Sequence, residues 1–301
     1  TTNAARADVL AYTHPACLGH DPGPGHPEAP ARLEAVLQAV RGAFPGLEWR
    51  QAPKAPRDAL LRVHGRDLVA RVLDLPTDGL RRLDEDTTMS PGSVEAALRA
   101  AGAGLAAVDA VMAGPVRHAF CAVRPPGHHA TRDQAMGFCL FNAAAVAAAH
   151  ALHAHGLARV AIADFDVHHG NGSQDIFWAE PRVMYLSSHQ SPLYPDTGLP
   201  NERGANGTGH VANATLPPGT GGEGFRAAWR DTLLPALEAF APQLLVISAG
   251  FDGHRLDPLA DLELEAEDYR WLSAELAAIA DRHAEGRLVS LLEGGYSLAA
   301  L

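Results

Sequence analysis

Five short runs of apolar and β-branched residues punctuate the chain: His118 to Val123, Val160 to Phe165, Val183 to Ser187, Leu244 to Ser248 and Leu288 to Leu292. Each is short for a helix and too continuously apolar for a strand with one wet face, so each predicts a strand buried on both sides. Longer alanine- and leucine-rich segments lie between them. Ser90-Pro91 followed by SVEAALRAAGAGLAAVDAVM predicts a capped start and a long helix, and Asn142 to His155, Phe225 to Phe240 and Glu265 to Arg282 predict further helices. Strand and helix alternate through most of the chain, the pattern of one parallel sheet with helices on both faces. The expected fold class is α/β, a single three-layer αβα domain over 1–301 without internal repeats.

Composition narrows the function classes. A chain of 301 residues that is 47% hydrophobic can bury a large core, and a formal charge of −11 argues against sequence-independent nucleic-acid binding while tolerating a cationic substrate. Cys17, Cys121 and Cys139 lie far apart with no C-x-x-C pair, so neither a disulfide framework nor a thiolate zinc site is expected. No window is expected to be apolar enough over about 18 residues to span a bilayer, no signal segment is read at the N-terminus, and a cytoplasmic protein is the expectation. Gly102 and Gly104 have dinucleotide-loop spacing but sit inside a predicted helix, which favours close helix packing. The loop GLGHDPGPGHPEAPARL lacks the Gly-Lys-Ser/Thr ending of a phosphate cradle.

Polar chemistry collects where the predicted strands end. The run IADFDVHHGNG passes from an apolar strand into Asp164, Asp166, His168, His169 and Asn171. In extended backbone Asp164, Asp166 and His168 share one side while Phe165 and Val167 face the packing. Other strand exits carry His128 and His129 in RPPGHHA, Asp252 in AGFDGHRLDP and Tyr296 in EGGY. Open α/β sheets place their sites at the carboxyl edge. Asp166, His168 and Asp252 make a two-carboxylate, one-imidazole set that leaves a coordination position open, the pattern of a catalytic zinc site. Two carboxylates make the metal a milder Lewis acid, so other groups must help stabilise developing charge, and Tyr296 and the histidine pair are the candidates.

RPPGHHA, GFCLFNAAAVAA, DFDVHHGNG, SAGFDGHRLDPL and LEGGYSL together resemble the zinc-dependent histone deacetylase family, which includes acetylpolyamine amidohydrolases; the resemblance runs from about Tyr12 to Tyr296, and the HHGNG form is similar to the class II branch. It implies the arginase/deacetylase fold, with a parallel sheet of about eight strands. By position it implies zinc held by Asp166, His168 and Asp252, with Fe2+ the alternative in the cell. Tyr296 would hydrogen-bond the substrate carbonyl, and His129 would be the general base. His128 would be its partner, kept charged by Asp164. Asn171 stands where many relatives carry an aspartate behind the tandem histidines, and an amide cannot raise the basicity of His129 as a carboxylate would.

The same resemblance places Gly137 and Phe138 on one wall of an acyl-lysine tunnel and Tyr194 on the other, where most relatives carry Phe. Leu259 occupies the position of an acidic gatekeeper in polyamine-selective relatives, which favours acyl-lysine over acetylpolyamine. Asp86 is the candidate clamp for substrate backbone amides, with Glu85 and Asp84 competing. A potassium ion is implied beside the zinc, on Asp164, the carbonyls of Asp166, His168 and Ser188, and the Ser187 hydroxyl.

The expected activity is metal-assisted hydrolysis of an acetyl or short acyl amide on an acyl-lysine peptide or a similar small amine. A small-molecule amidohydrolase and a silent acyl-lysine binding module are the alternatives. A binuclear arginase-type hydrolase lacks its second carboxylate set. No nucleic acid or membrane partner is expected, and self-association stays open. His14, His64, His150, His153, His155 and His283 are expected on surfaces or helix faces, and His26 is unassigned.

Overall fold

Along the strand Val160–Asp164, Val160 and Ile162 are buried in one core and Ala161 and Ala163 in another, so successive side chains face opposite layers. The computed structural model describes residues 9–301; residues 1–8 of the expected domain lie outside the described residues. Its strands in chain order are β1 (Val9–Thr13), β2 (Glu48–Gln51), β3 (Arg81–Arg82), β4 (Thr88–Met89), β5 (His118–Cys121), β6 (Val160–Asp164), β7 (Val183–Gln190), β8 (Val211–Leu216), β9 (Leu244–Ala249) and β10 (Leu288–Leu292). Eight of them form one sheet in the order β2-β1-β5-β10-β9-β6-β7-β8, every pairing parallel. β3 and β4 form a separate antiparallel ribbon. Helices Pro30–Ala43, Ser93–Ala113 and Ala143–Ala154 cover one face, and Gly222–Ala228 and Ala266–His283 the other. This is the expected parallel α/β architecture.

Order within the sheet positions the site. β5, β10, β9 and β6 are consecutive neighbours at its centre, although they are scattered in sequence. Asp164 on β6 lies beside Ser248 on β9, and Ser248 beside Leu291 on β10. The four exits therefore open at one level.

Several expectations need correcting. Ser93–Ala113 is long and apolar enough by length and composition to cross a membrane, which the sequence reading did not expect. It is a core helix instead, with Ala96, Ala97, Ala100 and Ala101 buried. Gly102 abuts the Pro53 carbonyl, and a Cβ on Gly104 would lie 3.1 Å from the Ala143 carbonyl oxygen, so both glycines serve close packing. No side chain caps this helix; Ser93 Oγ accepts the Ser90 N–H at 2.7 Å. The segment expected as one helix from Phe225 to Phe240 has a wide π turn at Trp229–Leu233 between helical stretches. Pro235 has no N–H to give an i→i−4 bond there.

His64 is also corrected: it is buried in the core rather than on a surface. Its Nε2 accepts the Asn142 N–H at 2.9 Å, so Nδ1 carries the proton and donates to the Thr131 carbonyl at 2.8 Å. Burial pushes its pKa down to about 4, from 6.5 for the unfolded chain. The unfolded state therefore binds a proton that the folded state refuses, so this part of the stability is complete above about pH 6.5 and is lost as pH falls toward 4. We expect a loss of about 2 kcal/mol at pH 5 from this group alone. Urea unfolding of wild type and His64→Gln at pH 7 and pH 5 checks it, because the gap between the two proteins should narrow by that amount; a gap that stays constant would contradict the assignment.

Candidate active site

β6 ends in two successive turns made by its own carboxylates. The Asp166 N–H donates to Asp164 Oδ1 at 3.1 Å and the His168 N–H to Asp166 Oδ1 at 2.9 Å, which turns Asp166 and His168 away from Phe165 and Val167, both buried in the second core. From β9 comes Asp252, whose Oδ1 accepts the Val167 N–H at 2.8 Å. Its Oδ2 lies 3.1 Å from His168 Nδ1, as does Asp166 Oδ1. One ligating atom from each of Asp166, His168 and Asp252 lies within 4.8 Å of the others, all three residues being buried.

The donor set fits a divalent metal. Two carboxylates and one imidazole face each other, with the His128 ring on the far side of Asp166, its Nε2 3.7 Å from Oδ1, and Gly250 and Gly294 pass so close that a Cβ on either would strike the carboxylate oxygens. With protons as the only neutralising charge, burial and the neighbouring Asp166 push Asp252 up to about 7. Burial opposes charge on His168, yet hydrogen bonds to Asp166 and Asp252 hold its pKa up at about 10. A dication would relieve both strains at once.

The tandem histidines arrive from β5. His128 Nδ1 lies 2.9 Å from Asp164 Oδ2, and the Tyr185 hydroxyl donates to the same oxygen at 3.1 Å. Burial opposes its charge, but Asp166 and Asp164 hold its pKa well above the ordinary histidine value. His129 is held well below that value by burial and by the adjacent His128 and His168. Two rings whose centroids are 4.1 Å apart are thus pushed in opposite directions, one charged and one neutral. Asn171 Nδ2 donates to Met136 Sδ, which turns its Oδ1 to His129 Nδ1 at 2.8 Å. Nδ1 therefore carries the proton and Nε2 the free lone pair.

A pocket of about 220 Å³ opens above this cluster, lined by Asp86, His129, Gly137, Phe138, His168, Leu193, Tyr194, Leu259 and Tyr296. All five expected substrate-binding residues lie on it. Phe138 has φ 67°, a strained conformation for an aromatic residue. Two hydrogen bonds hold it: Gly137 N–H to Asp86 Oδ1 at 3.0 Å and Phe138 N–H to Thr87 Oγ1 at 3.0 Å. Asp86 thus builds the wall with one oxygen, whereas Glu85 is exposed and Asp84 accepts from Gln134. Tyr194 is 38% exposed at the rim, its ring centroid 5.3 Å from that of His129. His26 stands edge-on to Phe138 at 4.7 Å. Of the groups expected to hold potassium, Asp164 and Ser187 pair across β6 and β7; the Ser187 hydroxyl lies 2.9 Å from His189 Nδ1, and the Ser188 hydroxyl accepts from Trp229.

Sequence reasoning missed three supporting groups. Glu293 Oε2 accepts the N–H groups of Gly127 and His128 at 2.6 and 3.1 Å and so carries the histidine loop. Asp257 accepts from Leu259 N–H at 3.0 Å and Tyr296 N–H at 2.6 Å, tying the rim to the tyrosine. Arg32 stacks over the Tyr296 ring at 4.8 Å and donates to the carbonyls of Glu293, at 2.6 Å, and Gly295. A charged residue inside an otherwise apolar run, as Glu293 is in LVSLLEGG, was the available signal for the first.

Known proteins resemble this chain over most of its length. The family model described as histone deacetylase domain matches residues 26–301. The chain is 42% identical over 287 residues to a histone deacetylase-like amidohydrolase of Pseudomonas aeruginosa, covering 95% of this chain and 74% of that protein. It is 39% identical over 290 residues to a probable deacetylase of Archaeoglobus fulgidus, covering 95% and 80%. The crystal structure of the HDA15 HD domain superposes with a TM-score of 0.92 at 35% identity, covering 98% of this chain and 85% of that one.

Proposed function

Since the chain belongs to the histone deacetylase family, we propose that it is a zinc-dependent deacylase that removes acetyl or short acyl groups from acyl-lysine or a similar amine. The observation that carries the reading is the pocket itself: aromatic and aliphatic walls at Phe138, Tyr194 and Leu259 lead to His129, Tyr296 and the Asp166, His168, Asp252 cluster. Those three residues would hold the ion, zinc or in the cell iron(II), which when bound supplies a Lewis acid for an amide carbonyl and for water. A potassium ion beside it, on Asp164, Ser187 and the carbonyls of Asp166, His168 and Ser188, belongs to the same proposal.

The remaining chemistry falls to side chains. His129, neutral and with Nε2 free, takes the proton of the attacking water and returns it to the departing amine. His128 stays charged beside it and keeps that imidazole from being protonated early. Tyr296 donates its hydroxyl to the oxyanion. Leu259, apolar at the rim, favours an acyl-lysine chain over a polycation.

The test is a rate comparison of acetyl-lysine peptide with acetylputrescine and acetylspermidine. We expect the peptide to be preferred and activity to vanish with chelator and in His129→Ala. A polyamine preference would reverse the substrate assignment, and zinc-loaded protein inert on every acyl amine would leave only a binding module.

Asn171→Asp gives a pH signature of the base. A carboxylate at 2.8 Å from Nδ1 would favour the imidazolium, raising the His129 pKa by about 1 unit or more. Because the base must be neutral, the acidic limb of the kcat/KM profile is expected to move to higher pH by that amount; a limb that does not move would exclude His129 as the group titrating there.

A further inference from the structure

At the opposite edge of the sheet a second set of ligating side chains converges. Helix Ala143–Ala154 starts beside the histidine loop and runs back to the amino edge, where the chain enters β6. Near its end His150, and at its C-cap His155, face Asp109 from the last turns of helix Ser93–Ala113. Both Nε2 atoms lie 2.7 Å from the same Asp109 Oδ1, and the two rings meet edge to face at 5.5 Å. The ligating atoms lie within 4.8 Å of one another, as in the catalytic cluster.

We propose that Asp109, His150 and His155 form a second divalent-metal site that takes a zinc-class ion and staples the two helices together. Two imidazoles and a carboxylate are ligands that zinc and its neighbours accept, and Asp109 is 57% exposed, so water can complete the coordination. A single carboxylate oxygen shared by two imidazole nitrogens brings three donors to one point from two packed helices. The ion would replace the two N–H protons now directed at that oxygen. This site is unconnected to the pocket, and a second ion here would not make the enzyme binuclear in the arginase sense.

Equilibrium dialysis of the full chain against micromolar free zinc, followed by metal analysis, tests it. We expect two zinc ions per chain in wild type, one in the His150→Ala/His155→Ala double variant and one in Asp252→Ala. Turnover of the double variant should be unchanged, and added zinc should raise the melting temperature of Asp252→Ala but not of the protein carrying all three substitutions. Equal zinc content in wild type and a folded double variant would overturn the proposal. Loss of one zinc in the double variant with none lost in Asp252→Ala would uphold it and refute the assignment of the ion in the catalytic pocket.

Discussion

Tyr296→Phe is expected to lower kcat on an acetyl-lysine peptide by about a hundredfold or more, the usual cost of deleting one oxyanion donor. The substitution removes one oxygen and preserves the ring, which is clamped by Arg32 over its face at 4.8 Å and by Phe138 edge-on at 5.8 Å. The loop should therefore keep its shape. Burial, joined by the charges of Asp252 and Asp166, outweighs Arg32 and keeps the phenol well above its ordinary pKa, so the hydroxyl retains its proton as a donor. None of the three candidate metal ligands touches that oxygen, so metal content should be unchanged. Steady-state kinetics and metal analysis on the same preparation check both halves. A kcat within a few-fold of wild type would remove Tyr296 from the mechanism, and loss of metal would mean that the variant had disturbed the cluster instead.

What was legible in sequence follows from which signals are local. Five of the eight strands of the main sheet are announced by an apolar run; four are buried on both faces, and β5 has His118 and Phe120 half-buried on one side. β1, VLAYT, carries that signal at the same length as β6 and β10 and went unread, whereas β2 is an exposed edge strand reading EWRQ and β8 alternates polar and apolar residues as VANATL, so neither of these two carries it. β7 extends three residues past the expected Ser187, because Ser188, His189 and Gln190 are buried with their polar groups satisfied by Trp229, Gly198 and Asp261. The candidate ligands were legible because polar and apolar residues alternate from Asp164 to His168, although the strand ends at Asp164 and it is the two carboxylate turns, not extended backbone, that separate Asp166 and His168 from Phe165 and Val167. The bonds that join Glu293 to Gly127, Asp257 to Tyr296 and Arg32 to Gly295 span 39 to 263 positions of sequence and end on backbone atoms, and nothing local marks such a bond. The adjacency of β5, β10, β9 and β6, which brings the exits together, is likewise a property of topology alone.

Glu28→Gln is expected to cost about 3 to 5 kcal/mol of stability, more than any other single change considered, because it strips a buried charge of its role between two cations. Glu28, Arg32 and Arg124 are all essentially inaccessible. Oε1 accepts from Arg32 Nη1 at 2.8 Å and Arg124 Nε at 2.6 Å, and Oε2 from Arg124 Nη2 at 2.7 Å. Glutamine has nearly the same shape, but it offers one acceptor and turns two N–H groups toward guanidinium donors, leaving two buried positive charges without a counter-ion. Burial alone would raise the carboxyl pKa of Glu28, yet Arg124, the His20 ring 3.3 Å from Oε2 and Arg32 together hold it far below the usual carboxylate range. Its contribution is therefore present above the unfolded value of about 4.5 and lost only as pH falls through the lower folded value. Urea unfolding at pH 7 and pH 5 should show the same deficit at both, in contrast to the His64 effect, which lies in that interval. The consequence reaches catalysis because Arg32 spans from Glu28 to the Glu293 and Gly295 carbonyls that carry Tyr296. In conditions where the variant is fully folded, kcat should fall while KM changes little, since the tyrosine acts on the transition state. A deficit below about 1 kcal/mol, the range of an exposed pair, would show that the guanidiniums find other partners and that the Tyr296 loop does not depend on this network.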